Sequence, residues 1–202
     1  MIRYLIRNIL FAFLFILLPF AGGILSGSPQ EISGVINTYA RVSAIEAPDA
    51  VILSDVSGFN NGDTVLVIQM KGVSIDVSQT PQFGIENGYL GQPGDYGVGF
   101  YEFIIIEQVQ GSPDNRLIFR NNLIGYDGYD IEGFVQVVKV PSFENATVTG
   151  ELTCSPWDSI SGTGGVLALI VQQNLVLNAD IDLSGNCFRG GTFLLVLINY
   201  FH

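Results

Sequence analysis

Thr64-Val65-Leu66-Val67-Ile68-Gln69-Met70 is the stretch on which the fold turns. At a two-residue period Leu66, Ile68 and Met70 share one side with Thr64, while Val65, Val67 and Gln69 take the other. Both sides are largely apolar, the pattern of a strand covered on two faces and therefore central in its sheet. Outward from it, the chain after residue 30 breaks into short β-rich runs separated by Gly, Asn, Asp and Pro. No stretch of ten or more residues repeats apolar positions at helical spacing. Strands are expected at residues 32–39, 50–54, 64–70, 100–109, 116–120, 134–140, 146–152, 166–171 and 175–183, with helix nearly absent.

Between Gly72 and Gly99 the breakers Pro81, Gly84, Gly88, Gly91, Pro93, Gly94 and Gly97 are too closely set for a regular element. Residues 73–99 are expected to form a long surface excursion, and at that length a candidate recognition loop. The character changes near Cys154 to Gly165, where Pro156-Trp157-Asp158 and Ser161-Gly162-Thr163-Gly164-Gly165 read as a connector with Trp157 plugging a junction. Beyond it Leu175, Leu177, Ala179, Ile181 and Leu183 alternate with Val176, Asn178, Asp180, Asp182 and Ser184, giving one dry and one wet face. With the apolar 166–171 before it and Gly185 after it, this has the form of the opening coil of a parallel β-solenoid. The expected fold is all-β: a β-sandwich or barrel-like N-terminal unit over residues 29–153, then a connector and the first coil or coils of a parallel β-solenoid over 154–202.

Residues 1–28 read as a signal peptide. Arg3 and Arg7 precede the apolar run Ile9 to Leu18, Pro19 breaks it, and small residues from Ala21 to Ser28 offer the cut. Ten apolar residues fall short of a bilayer span; extended to Leu25 the same run would serve as an uncleaved anchor. The whole chain has 8 Lys+Arg, 19 Asp+Glu and a net charge of −11; loss of Arg3 and Arg7 takes it to −13. Only 13% of its 202 residues are charged, against about 25% in an ordinary soluble domain. An acidic chain without a basic run has no means of neutralising phosphates, which excludes nucleic acid, and it is not drawn to anionic lipid once the leader is cut. His202 is the single His, so His-based triads, zinc sites and general bases are absent from the body of the chain. There is no Gly-x-Ser-x-Gly elbow either. The chain is expected not to be an enzyme and to carry no organic cofactor.

Three ordered blocks carry a family resemblance: Asn37-Thr38-Tyr39; Gly62-Asp63-Thr64 through Gly72; and Val138-Lys139-Val140-Pro141 with Asn145-Ala146-Thr147-Val148. They lead into Pro156-Trp157-Asp158, Gly164-Gly165-Val166-Leu167-Ala168 and Leu177 to Gly185. In that order the chain resembles the N-terminal region of large secreted, adhesin-like surface proteins of Bacteroidetes, which often end in a gliding-motility-associated or secretion-sorting domain. The resemblance spans residues 35–191, contains no catalytic motif, and lacks both the sorting domain and the Gly-rich continuation after Thr192. It implies a secreted or cell-surface protein that displays, scaffolds or adheres, with surface glycans or other cell-surface proteins as partners. A solenoid coil needs a following coil or a polar cap, and the apolar Phe193 to Ile198 reads instead as a strand seeking a partner, so the chain is expected to be the front end of something longer or a truncated copy; the alternative is that this run folds back as a final buried strand.

Few residues suggest chemistry. Asp180 and Asp182 on the wet face, and Asp127 and Asp130 in Asp127-Gly128-Tyr129-Asp130, are the candidate calcium ligands; neither group has EF-hand spacing. Calcium stabilisation of a purely structural module is therefore one alternative. Asp158 with Glu151 or Asp180 would supply a carboxylate pair if the chain were a fragment of a carbohydrate-active β-helical enzyme, the other alternative. Tyr89, Tyr96, Tyr101, Tyr126 and Tyr129 would stack on sugars if they shared a surface, with strand packing as the plainer role. Cys154 and Cys187, an even pair in an exported chain beside Gly and Pro turns, are expected to form a disulfide.

Overall fold

The computed structural model describes residues 28–72, 74–75, 80–81, 86–87, 97–187 and 195–198. The expected leader up to residue 27, most of the 73–99 excursion with Tyr89 and Tyr96, and residues 188–194 and 199–202 lie outside the described residues. The fold is all-β. In chain order its strands are β1 (Gln30–Val35), β2 (Tyr39–Ala47), β3 (Ala50–Leu53), β4 (Thr64–Gln69), β5 (Ser74–Ile75), β6 (Glu86–Asn87), β7 (Tyr101–Gln110), β8 (Arg116–Phe119), β9 (Val135–Lys139), β10 (Ser142–Thr153), β11 (Leu167–Leu177) and β12 (Leu195–Ile198). Among the described residues the only helical element is the 3-10 turn Ile131–Gly133.

Six strands close a barrel in the order β2-β3-β8-β7-β4-β9, each neighbouring pair antiparallel. Alternation fills it: Val65 and Val67 of β4, Ile104 and Ile106 of β7, Leu117 and Phe119 of β8, and Val135 and Val137 of β9 form one core with Ala40, Val42, Val51 and Leu53. Burying each of these larger side chains contributes about 1.5–3 kcal/mol. Composition hides β2. Tyr39–Ala47 contains three Ala and a Glu, poor strand formers, and its register shifts between Val42 and Ala44 and again between Ile45 and Ala47. Such bulges break the two-residue period by which a strand is recognised. The 73–99 excursion also carries a short ladder, Ser74 opposite Asn87 and Ile75 opposite Glu86, where no regular element was expected.

The other sheet is parallel, in the order β1-β10-β11-β12. Its registers show a coil repeat: Ser142 faces Ile170 and Leu167 faces Leu195, each 28 positions on, and Leu152 faces Ile181, 29 on. The first step is different, because Gln30 faces Ala146, 116 positions on. The surplus of about 88 residues over one coil is the barrel, which is thus inserted between the first rung and the second. Parallel strands need a long crossover, and here the crossover is itself folded. The sheet consequently takes strands from both sides of residue 153.

Ile32, Ala146, Val148, Leu152, Leu167, Leu169, Val171 and Leu183 line the parallel unit's own core, joined by Leu175, Ala179 and Ile181. The dry face expected for 175–183 is present except at Leu177, which is 58% exposed because β11 ends there and the chain bends at 178–179. Asn145 and Asn174 stack on neighbouring rungs, with the Asn174 amide donating to Asn145 Oδ1 at 3.1 Å.

A third apolar cluster joins the two units. Leu66 and Ile68 on the outer side of β4, with Val138 of β9 and Val140 just after it, pack on Val166 and Ala168. The two apolar faces of residues 64–70 therefore have separate purposes, one toward the barrel interior and one toward the parallel sheet. Side-chain amides extend the ladder across the seam. Asn37 Nδ2 donates to Ala168 O at 2.6 Å and to Lys139 O at 2.9 Å, while Ala168 N donates to Asn37 Oδ1 at 3.1 Å. Gln136 and Gly164 exchange a similar pair at 3.0 Å each.

Candidate functional site

Residues 123–131 fold across one end of the barrel, with Leu123 and Tyr129 buried in the barrel core. Glu102, on the inward side of β7 with Ile104 and Ile106, is the anchor, at 8% exposure. A buried carboxylate is costly unless its lone pairs are met, and three donors meet them. Ile124 N donates at 2.8 Å, Gly125 N at 3.2 Å and the Tyr129 hydroxyl at 3.1 Å. Burial, reinforced by the Glu102 charge, pushes the Tyr129 hydroxyl far above its ordinary value, so it remains a donor and has no role as a base. Gly125 is required where it stands, because an added Cβ would meet the Phe100 and Tyr129 rings at 2.6 and 3.0 Å. Tyr129→Phe is expected to lower unfolding free energy by about 1–2 kcal/mol through loss of the bond to Glu102. Urea denaturation reads this directly, and an unchanged midpoint would mean that the hydroxyl contributes nothing.

Above this floor lies a concavity of about 320 Å³ lined by Ile45, Tyr126, Asp127, Tyr129 and Ile131. Its volume is at the lower end of the range for small-ligand sites, which place a few polar groups among apolar walls. Tyr126 is 40% exposed and Asp127 lies open beside it. An exposed aromatic ring next to a carboxylate and aliphatic walls suits a sugar, whose C–H face packs on the ring while a hydroxyl donates to the acid. Tyr126 and Tyr129 are thus the two aromatic candidates that the fold brings into one site. Tyr101 stands elsewhere, edge-on to Phe103 at 6.0 Å.

The other candidates are placed apart. Asp130 Oδ1 accepts from Glu132 N at 3.0 Å as the cap of the 3-10 turn, and Asp182 Oδ1 accepts from Ser184 N at 2.7 Å. Asp180 is exposed where the chain turns back beside Leu152, and its carbonyl accepts from Leu152 N. Among the described residues no three His, Cys, Asp or Glu side chains converge as a metal set, so Asp127, Asp130, Asp180 and Asp182 have no described co-ligands. Asp158 caps its own turn, accepting from Ile160 N at 2.9 Å and Ser161 N at 3.3 Å. These bonds hold its carboxyl below the usual range, as Ser184 does for Asp182 and Ser57 for Asp55. A glycosidase acid needs the opposite displacement. Register puts Glu151 beside Asp180 on adjacent rungs, both facing solvent.

Trp157 packs edge-on to Phe134 at 6.2 Å, and its N–H backbone donor meets Asn186 O at 2.8 Å, which places it at the junction of the two units. Cys154 and Cys187 pack in the same cluster but are free thiols in this structure, where a bond was expected. Burial, and then the neighbouring Cys187, push the Cys154 thiol up to about 11. The Cys187 thiol donates to Leu183 O at 3.5 Å.

No protein-family model matches the chain, and no curated protein does. Among solved structures it is similar to the tailspike Gp54 of Acinetobacter baumannii bacteriophage AP22, solved in complex with A. baumannii capsular saccharide, at 14% identity and a TM-score of 0.32. That alignment covers 71% of this chain and 22% of the tailspike chain.

Proposed function

We propose that this chain is a non-catalytic, exported, adhesin-like β module that docks a surface glycan at the end of its barrel. The observation that carries the reading is the pocket built by Tyr126, Asp127, Ile45 and Ile131 over the Glu102–Tyr129 floor. The floor is held by the three hydrogen bonds that Glu102 accepts from Ile124 N, Gly125 N and the Tyr129 hydroxyl. The rim presents a stacking ring in Tyr126 and a hydrogen-bond acceptor in Asp127, a pairing suited to a hydroxylated ring.

A glycan array with the exported chain tests it. Tyr126→Ala is expected to weaken binding of the selected glycan about tenfold or more, in the range that removal of a stacking ring costs, while the melting midpoint barely moves. Binding that survives the substitution unchanged would place the glycan elsewhere. Export carries a second expectation. An oxidising compartment should close Cys154 and Cys187, which share one cluster. A bond closing a loop of about 33 residues contributes roughly 3–4 kcal/mol in the chain-entropy model. Thiol counting in denaturant without reductant is expected to find no free Cys; two free thiols would contradict the bond.

A further inference from the structure

Arg41, Lys71, Phe134 and Trp157 meet where the barrel abuts the connector, and all four are half-buried. The Arg41 guanidinium carbon stands 4.5 Å from the Phe134 ring centroid and the Lys71 ammonium 4.6 Å from it. The same ammonium is 6.0 Å from the Trp157 ring. These separations lie within the range of cation–π attraction. Phe134 keeps its place with a φ of 56°, in the left-handed region that a bulky residue rarely occupies. Gly162 lies so close beneath the ring that a Cβ there would collide with it. Strain of this kind persists only where the surroundings fix the residue, and it gathers at ligand sites.

Charge makes the cluster unusual. In a chain with 19 acids and 8 bases, the described cations Arg116, Arg120 and Lys139 pair with Glu46, Glu107 and Asp63. Among the described residues Arg41 has no carboxylate partner, although acids outnumber bases more than two to one. A guanidinium drawn to a ring retains N–H donors for a second partner, and its planar fork matches a carboxylate. We propose that this cluster binds a carboxylated saccharide, a uronate unit of an anionic glycan, with the carboxylate on Arg41 and the sugar ring against Trp157. The cluster shares no lining residue with the Tyr126 pocket, so the proposal goes beyond the glycan-docking reading above and adds a second subsite for a charged saccharide. A chain of net charge −11 disfavours a polyanion as a whole, so binding of such a glycan requires a local cation.

Trp157 is the only Trp, so its emission reports from inside the cluster. Titration of the full chain with short oligogalacturonates is expected to change Trp emission saturably, more weakly at high salt, and neutral galactan of equal length should leave it unchanged. Arg41→Gln is expected to weaken the uronate about tenfold, and Arg41→Lys to restore part of the loss; circular dichroism confirms that both variants fold. Absence of any emission change, equal uronate affinity in Arg41→Gln, or polyglutamate binding as tightly as the uronate would each overturn the proposal. A neutral glycan held through Tyr126 with no uronate response overturns this inference and leaves the docking reading standing. Failure of both ligand classes overturns both.

Discussion

Gly164→Ala is expected to destabilise the chain by about 4 kcal/mol. Gly164 has a φ of +92°, and an added Cβ would run into the Pro156 carbonyl oxygen. The left-handed backbone alone costs an L residue roughly 1–2 kcal/mol. Relief of the collision would shift the backbone whose N–H and C=O are held by Gln136. Gln136 is fully buried, so each bond lost there leaves an unsatisfied group at about 1–3 kcal/mol. Gly185→Ala separates the two causes, since Gly185 has a φ of +77° with nothing within 4 Å of its Cβ position. It should cost only the backbone contribution. Equal urea midpoints for the two variants would mean that the Pro156 contact is not resisted.

Asn37→Ala is expected to cost about 3 kcal/mol and to loosen the seam between barrel and parallel sheet. The substitution removes one donor and one acceptor from Ala168 and one donor from Lys139. Ala168 is fully buried, so water cannot replace the lost partners without opening the seam. Hydrogen exchange gives the spatial readout: protection should fall at residues 166–169 and 138–140 before it falls in the barrel interior around Val65 and Ile104. Uniform loss of protection across the chain would show that Asn37 supports global stability with no particular hold on the seam.

Much of the architecture was legible because it is local. Residues 64–70 announce a strand with two apolar sides, and the structure assigns one side to the barrel and the other to the seam. Trp157 between Pro156 and Asp158 reads as a junction plug and meets Phe134 there. What escaped is non-local. The insertion of the barrel between two rungs depends on Gln30 facing Ala146, and one short strand contains nothing that names so distant a partner. The buried amides Asn37 and Gln136 read as ordinary polar strand positions, because their partners are backbone groups brought near only by folding. The candidate site shows the same division. Tyr126, Asp127 and Tyr129 stand out as an acidic, aromatic turn, and the pattern pointed toward calcium for the acids. Ile45, which completes the pocket with them, lies in the strand that composition concealed.

Docking without cleavage is read from the mass of a glycan that the protein retains. The chain is incubated with a defined oligosaccharide chosen from the array, passed over a size-exclusion column, and the glycan in the protein peak is weighed by mass spectrometry. The oligosaccharide is expected to elute with the protein at its starting mass, and Tyr126→Ala to lower the amount that co-elutes in line with about tenfold weaker binding. Recovery of shorter products, or co-elution indifferent to Tyr126, would contradict that expectation.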